Sequence, residues 1–192
     1  MKTKLRDIAE VKAGFTVRAP SAGVKTKSYP VIQIKNVRGD ARLDLNDLTY
    51  AELTEVKGVH FLKQGDVLFC ARGTRNAAAA FDGQIDDVVA GSQLFVIRIR
   101  DQDVLPSYLA WYMNQAAAQA YLSQYRSGSY IRMVRRAALL SMPIVLPSAD
   151  TQQRILDLWS LGIKEQGLLD ELKERRRDLV TAQCDELLGS GR

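Results

Sequence analysis

Few side chains in this sequence are suited to making or breaking bonds. The single histidine, His60, and the two cysteines, Cys70 and Cys184, stand far apart, which leaves no multi-histidine metal site, no zinc motif and no recognisable triad. Phosphate-loop GxxxxGK and nucleophile-elbow GxSxG patterns are missing. So are a glycine-rich cofactor loop after a first strand and an Asn-Pro-Pro-Tyr-like segment, which ranks a methyltransferase reading below a nuclease one. What remains is the triplet Glu55-Val56-Lys57 with Asp44 and Asp47 upstream, the residue set of a metal-dependent phosphodiesterase. The pattern is short, and Glu171 to Lys173 repeats it in a charged stretch where it cannot be catalytic.

Binding chemistry is better supplied. The net charge is +5 and the pI about 9.3, which favours a polyanionic partner. Residues 1–150 carry 20 Lys and Arg against 14 Asp and Glu, whereas 151–192 carry 7 against 8. The positive excess therefore belongs to the first part. Duplex DNA needs cations for its phosphates, and arginine, glutamine, asparagine or serine for base edges. Lys25, Lys27, Arg38, Arg72 and Arg75 fall in predicted loops at strand ends, with Asn76, Gln84 and Gln93 near them in sequence. A second basic cluster, SGSYIRMVRR, supplies Ser127, Ser129, Tyr130, Arg132, Arg135 and Arg136. Glycine ahead of a helix leaves N–H groups free to meet a phosphate. The competing reading is a solvated helix face whose Ile131, Val134 and Leu139 pack inward. Arg72 and Arg75, beside Gly73, are the stronger pair for a DNA-facing surface.

The elements that position these groups are mixed. Lys4 to Val11 reads as a short amphipathic helix ending at Gly14, with Phe15 to Val17 extended. Ser21 to Tyr29 reads as a polar loop, and VIQIKNV after Pro30 as a strand holding Val31, Ile32, Ile34 and Val37. Further strands are expected at Asp66 to Ala71 and Leu94 to Ile99, both rich in β-branched or aromatic residues. From Pro106, the positions Leu109, Tyr112, Met113, Ala116, Ala120 and Leu122 predict one helical face, ended by Gly128; IRMVRRAALL starts another short helix. Pro143 and Pro147 bracket a strand-like IVL.

After Pro147 the texture changes. The 45 residues that follow contain no proline and open with Ser148 as a cap and Asp150 in the first turn. Ile155, Leu158 and Trp159, then Leu169, Leu172, Leu179 and Leu187, form a narrow apolar stripe with charged flanks. A helix of that length spans roughly 60 Å, and its stripe calls for a partner helix. Folding back on its own domain is the alternative, with Gly162 and Gly167 marking a bend. The fraction of apolar residues, 46%, and of charged residues, 26%, suits a folded protein in water. No run is long enough to span a membrane, and MKTKLRDIAEVKAG has charges where a signal peptide needs apolar residues, so the expected location is cytoplasmic.

Taken in order, KLRDIAEVKAGFT, YPVIQIKNV, LKQGDVLFCARGT, PSYLAWYMNQ and SGSYIRMVRRAALLSMPIVLPSADTQQRI resemble the specificity subunits of type I DNA restriction and modification systems. The resemblance covers nearly the whole chain. It departs at Thr151, where the family pattern has a glutamate ahead of Gln152. The fold implied is α+β: a globular mixed α/β target-recognition domain over 1–147, then a helix over 148–192 that pairs as an antiparallel coiled coil. The resemblance implies a non-catalytic subunit that reads double-stranded DNA and docks methyltransferase subunits and a restriction subunit. S-adenosylmethionine then belongs to the partner methyltransferase, and no cofactor to this chain. Because one recognition unit is present where full-length members have two, the expected assembly is a homodimer on a bipartite, palindromic site. Expected DNA contacts are Lys25, Lys27, Arg38, Arg72, Arg75, Asn76, Gln93, Ser129, Tyr130 and Arg132. Expected helix contacts are Ile155, Leu158, Leu169, Leu172, Leu179 and Leu187. The rival from another class is a stand-alone DNA-binding or interaction module, or an orphan remnant; a metal-dependent nuclease ranks below it.

Overall fold

The computed structural model of the chain describes residues 2–16, 26–53, 60–73, 76–127 and 133–189. In chain order the strands are β1 (Lys2–Lys4), β2 (Ala9–Ala13), β3 (Lys27–Ile32), β4 (Thr49–Leu53), β5 (Val67–Cys70), β6 (Ala78–Ala80), β7 (Val89–Ala90), β8 (Leu94–Ile99), β9 (Arg126–Ser127), β10 (Met133–Val134) and β11 (Pro143–Val145). The helices are α1 (Leu5–Ile8), α2 (Pro106–Asn114), α3 (Ala116–Gln124), α4 (Arg136–Leu140) and α5 (Ala149–Gly189). This is the expected mixed α/β domain followed by a long C-terminal helix. Chain contacts divide it into two units, Met1–Gln153 and Arg154–Arg192.

The first unit is organised by a four-stranded sheet in the order β2-β8-β5-β6 and a three-stranded sheet in the order β4-β3-β7. Strand β5 explains the layering, because VLFC is buried at every position. Side chains alternate across a strand, so Val67 and Phe69 join one core with Leu5, Leu109 and Leu139. Leu68 and Cys70 join a second core with Ile32, Phe81 and Val88. The alanine run follows the same rule, with Ala78 facing the first core and Ala77 and Ala79 the second. Small side chains there let β6 lie close under both layers. As the sheet's edge strand, β6 is protected by Asn114, whose amide accepts from the Ala78 N–H at 3.1 Å and donates to the Ala78 carbonyl at 2.7 Å.

Several local expectations are corrected by pairing. Instead of a helix from Lys4 to Val11, only Leu5–Ile8 is helical; Ala9–Ala13 pairs antiparallel with β8. The window fits both periods, and the available edge of β8 decides. The strand expected after Pro30 begins earlier, at Lys27, and ends at Ile32, where a 3-10 turn spans Ile34–Asn36. Buried Asn36 forces that turn by donating to the carbonyls of Asp44 at 3.0 Å and Asp47 at 3.1 Å. The single helix expected from Pro106 is two helices, broken at Gln115 with ψ 153°. That break resets the phase, so Ala118 is buried while Ala116 and Ala120 are exposed. In IRMVRRAALL, Met133–Val134 is a strand and the helix starts at Arg136.

The start of α5 is tied down within the first unit. Ser148 Oγ accepts from the Thr151 N–H at 3.3 Å and lies 3.0 Å from Thr151 Oγ1, so threonine completes the cap where glutamate was expected. Gln152, fully buried, accepts from the Leu105 N–H at 2.9 Å. Its amide nitrogen donates to the Asp103 carbonyl at 2.7 Å and the Pro147 carbonyl at 3.0 Å. In the second unit the helix is continuous through Gly162 and Gly167, with no bend element. Its surface carries the ion pairs Arg175–Glu171 at 2.5 Å and Lys173–Asp170 at 3.3 Å.

Candidate nucleic-acid interface

The motif GDVLFCARGT builds the site from the core outward. Asp66, buried at the entry to β5, accepts from Arg98 Nε at 2.7 Å and from the Lys63 N–H at 2.9 Å, which locks the turn before the strand. At the exit, Gly73 takes φ +109°, a conformation that favours glycine. The neck of the following loop closes where the Cys70 N–H donates to the Ala77 carbonyl at 2.8 Å. Asn76 donates to the Cys70 carbonyl at 2.8 Å, and Gln119 from α3 donates to the Asn76 carbonyl at 2.9 Å.

Three chain segments meet at this exit. The Ala71 N–H donates to the Gln93 carbonyl at 3.2 Å, and the Val134 N–H donates to the Ala71 carbonyl at 2.9 Å. Arg72 bridges Met133 and directs Nε at its sulfur, 3.4 Å away. Met133 pairs in turn with Ser127, which brings the β9–β10 pair to the same place. The Gly91 to Leu94 turn is seated by the Gly91 N–H on the Ile32 carbonyl at 2.8 Å. Gly14 permits this seating, since a Cβ there would lie 2.1 Å from the Gly91 carbonyl oxygen.

Of the expected DNA contacts, the structure brings Arg72 and Gln93 together, both exposed. Lys27 and Arg38 lie elsewhere. Lys27 starts β3, pairs with Asp87 at 3.2 Å and sits 5.0 Å over the Tyr29 ring. Since β3 and β7 run parallel, with Val31 opposite Val89, Lys27 and Gln93 flank opposite ends of that pair. Arg38 lies in the hairpin where Val37 meets Leu43, and its guanidinium is bonded to Asp44. That bond raises the arginine pKa and lowers that of Asp44. The same hairpin's Arg42 and Leu43 line a cavity of about 460 Å³ with Gly65 and Phe81, at the opposite end of β5 from Arg72. Among the described residues Arg72 has no carboxylate partner, which leaves its charge available.

Asn76 departs from expectation. At 1% exposure it is part of the interior, and its amide positions the loop instead of reading a base. Lys25, Arg75, Ser129, Tyr130 and Arg132 lie outside the described residues, as do Glu55 to Lys57. Asp44 and Asp47, the upstream members of the nuclease-like set, are held by Arg38 and Lys35. The described residues contain no group of three or more His, Cys, Asp or Glu suited to a metal. His60 packs edge-on against Phe15, with ring centroids 5.1 Å apart, a structural contact. Burial pushes the Cys70 thiol up to about 12. On the long helix Ile155 is half-buried; Leu158, Leu169, Leu172, Leu179 and Leu187 are 46% to 76% exposed. No helix among the described residues is long and apolar enough to cross a membrane.

Sequence reasoning missed Gln119 and Asn114 as supports, because each acts across a distance set only by the fold. Gln152 was visible as a pattern match, though not as a buried anchor.

Comparison with known proteins agrees with this architecture. An HsdS subunit from Thermoanaerobacter tengcongensis superposes with a TM-score of 0.61 at 19% identity, over 98% of this chain and 47% of that one. A type I restriction-modification S subunit from M. genitalium gives 0.53 at 14%, over 93% and 42%. A chain from a structural study of complex assembly and conformational transition of the type I R-M system gives 0.61 at 18%, over 88% and 39%. At these identities the likeness is one of fold, and this chain spans less than half the length of each. No curated protein sequence matches it. A sequence model for the type I restriction modification DNA specificity domain aligns with residues 1–174, and with the fold in agreement the chain belongs to that family.

Proposed function

We propose that this chain reads DNA sequence for a type I restriction-modification system and does no chemistry itself. The observation that carries this reading is the meeting of Arg72, Gln93 and the β9–β10 pair at one end of the central strands β5 and β8. A guanidinium without a carboxylate partner among the described residues suits a phosphate, and the neighbouring glutamine suits a base edge. In this reading residues 1–147 are the reader and 148–192 the ruler. Two copies pair their exposed leucine stripes as an antiparallel coiled coil, burying what one copy leaves in water. Twofold symmetry then gives a palindromic, bipartite site with an unread spacer. Methyltransferase subunits carrying S-adenosylmethionine, and a restriction subunit, dock on the pair.

Co-purification with the neighbouring methyltransferase, followed by mapping of methylated adenines across the genome, tests the assignment. A complex and a new palindromic methylated motif are expected. No complex and no motif would leave a stand-alone DNA-binding module. For the interface, the Arg72→Ala, Arg75→Ala double change should weaken binding and flatten its salt dependence.

A further inference from the structure

Beside Arg72 lies a cleft of about 230 Å³ whose lining includes Phe15, Gln33, Ile34, Ser92 and Gln93. Its composition is unlike the first cavity, where the nearest cation, Arg42, is already paired with Asp40. Here two glutamines and a serine surround an apolar floor. Ser92 and Gln93 are exposed, and among the described residues their side chains make no hydrogen bonds.

The scaffold under them is rigid. The Gly91 to Leu94 turn is held by the Gly91 N–H on Ile32 at 2.8 Å and the Leu94 N–H on Gly91 at 2.9 Å. Gln33 is set by its own N–H, which donates to Asn36 Oδ1 at 2.9 Å, and Asn36 is buried. Both glutamines therefore stand on backbone that a ligand need not order. The Ala71 to Gln93 bond, 3.2 Å, places Arg72 one residue from the cleft. A phosphate held by Arg72 would bring a groove edge to the cleft mouth.

We infer that the cleft between Gln33 and Gln93 is a specificity subsite for an A·T base pair in the major groove. A glutamine amide offers one donor and one acceptor, the complement of adenine N7 and N6. The apolar wall of Phe15 and Ile34 takes the thymine methyl group. Ser92, which accepts or donates, adds no preference of its own. The inference rests on the reading of the Arg72 end of β5 as the DNA-facing one.

The test is selection from a duplex library with a randomised window, using the full chain and its Gln93→Arg and Gln33→Ala variants. Wild type should select a motif containing an A·T position. Gln93→Arg keeps the backbone bond to Ala71 and should change one selected A to G, because arginine pairs with guanine N7 and O6. Gln33→Ala should cut discrimination at that position or its neighbour by roughly 10- to 100-fold. A wild-type motif left unchanged by both variants, or a uniform gain in affinity for every duplex with Gln93→Arg, overturns the subsite while DNA reading stands. A wild-type chain that selects no motif overturns both.

Discussion

The side-chain oxygen of Gln152 accepts the backbone N–H of Leu105 at 2.9 Å, joining the first turns of the long helix to the residue that precedes α2. The same amide satisfies the carbonyls of Asp103 and Pro147. One buried side chain thus satisfies three backbone groups, at Asp103, Leu105 and Pro147.

Replacing Gln152 by alanine removes those partners at once. A buried group left without its partner costs about 1–3 kcal/mol. For a chain of this size each kcal/mol shifts Tm by about 2–4 °C, so thermal unfolding should move down by several degrees. Gln152→Glu keeps the acceptor but loses the donor and buries a charge, and it should be at least as damaging. An unchanged Tm in both variants would refute the anchor.

Arg72 and Arg38 should differ in DNA binding. Arg72→Ala is expected to weaken affinity across sequences and reduce the slope against log salt by about 1. Arg38 is already bonded to Asp44, so a phosphate must first displace that carboxylate, and Arg38→Ala should change the slope less. Salt titrations of both variants check this; equal slopes would refute it.

The two thiols should react differently. Cys184 is exposed and Cys70 buried, with the latter's thiol pushed up to about 12 by burial. At pH 8 a thiol reagent should titrate one cysteine in the native chain and two in denaturant. Because the folded value lies above the ordinary 9.0, the neutral thiol's contribution to stability is complete below pH 9. It is lost as the pH rises from there toward 12, since the unfolded state ionises first. A Cys70→Ala variant should show a shallower loss of stability over that window.

Gly162 and Gly167 lie inside α5 with open space where a Cβ would stand. Gly162→Ala and Gly167→Ala should each stabilise the helix by about 0.5–1 kcal/mol through lower unfolded-state entropy. Circular dichroism melting of the double variant checks the gain. A loss would mean that a partner backbone approaches closely at those glycines.

Much of this protein was legible in the sequence by itself. The strands at Val67–Cys70 and Leu94–Ile99, the helix start at Pro106 and the long charged helix after Pro147 were all readable. In each, local periodicity and capping agree with the tertiary environment, so short-range information suffices. Ordered motifs also led to the DNA specificity family.

Tertiary structure alone decided which polar groups work together. Arg72 and Met133 are far apart in sequence, as are Gln119 and Asn76, yet sheet pairing and helix docking join them. The same contacts turned Asn76 from a candidate reader into an interior support. They converted the window after Ile8 from helix to strand, because an unpaired edge of β8 outweighs a weak local preference. Charge and residue type determine what a side chain is able to bind; only long-range pairing determines whether it faces the partner or the core.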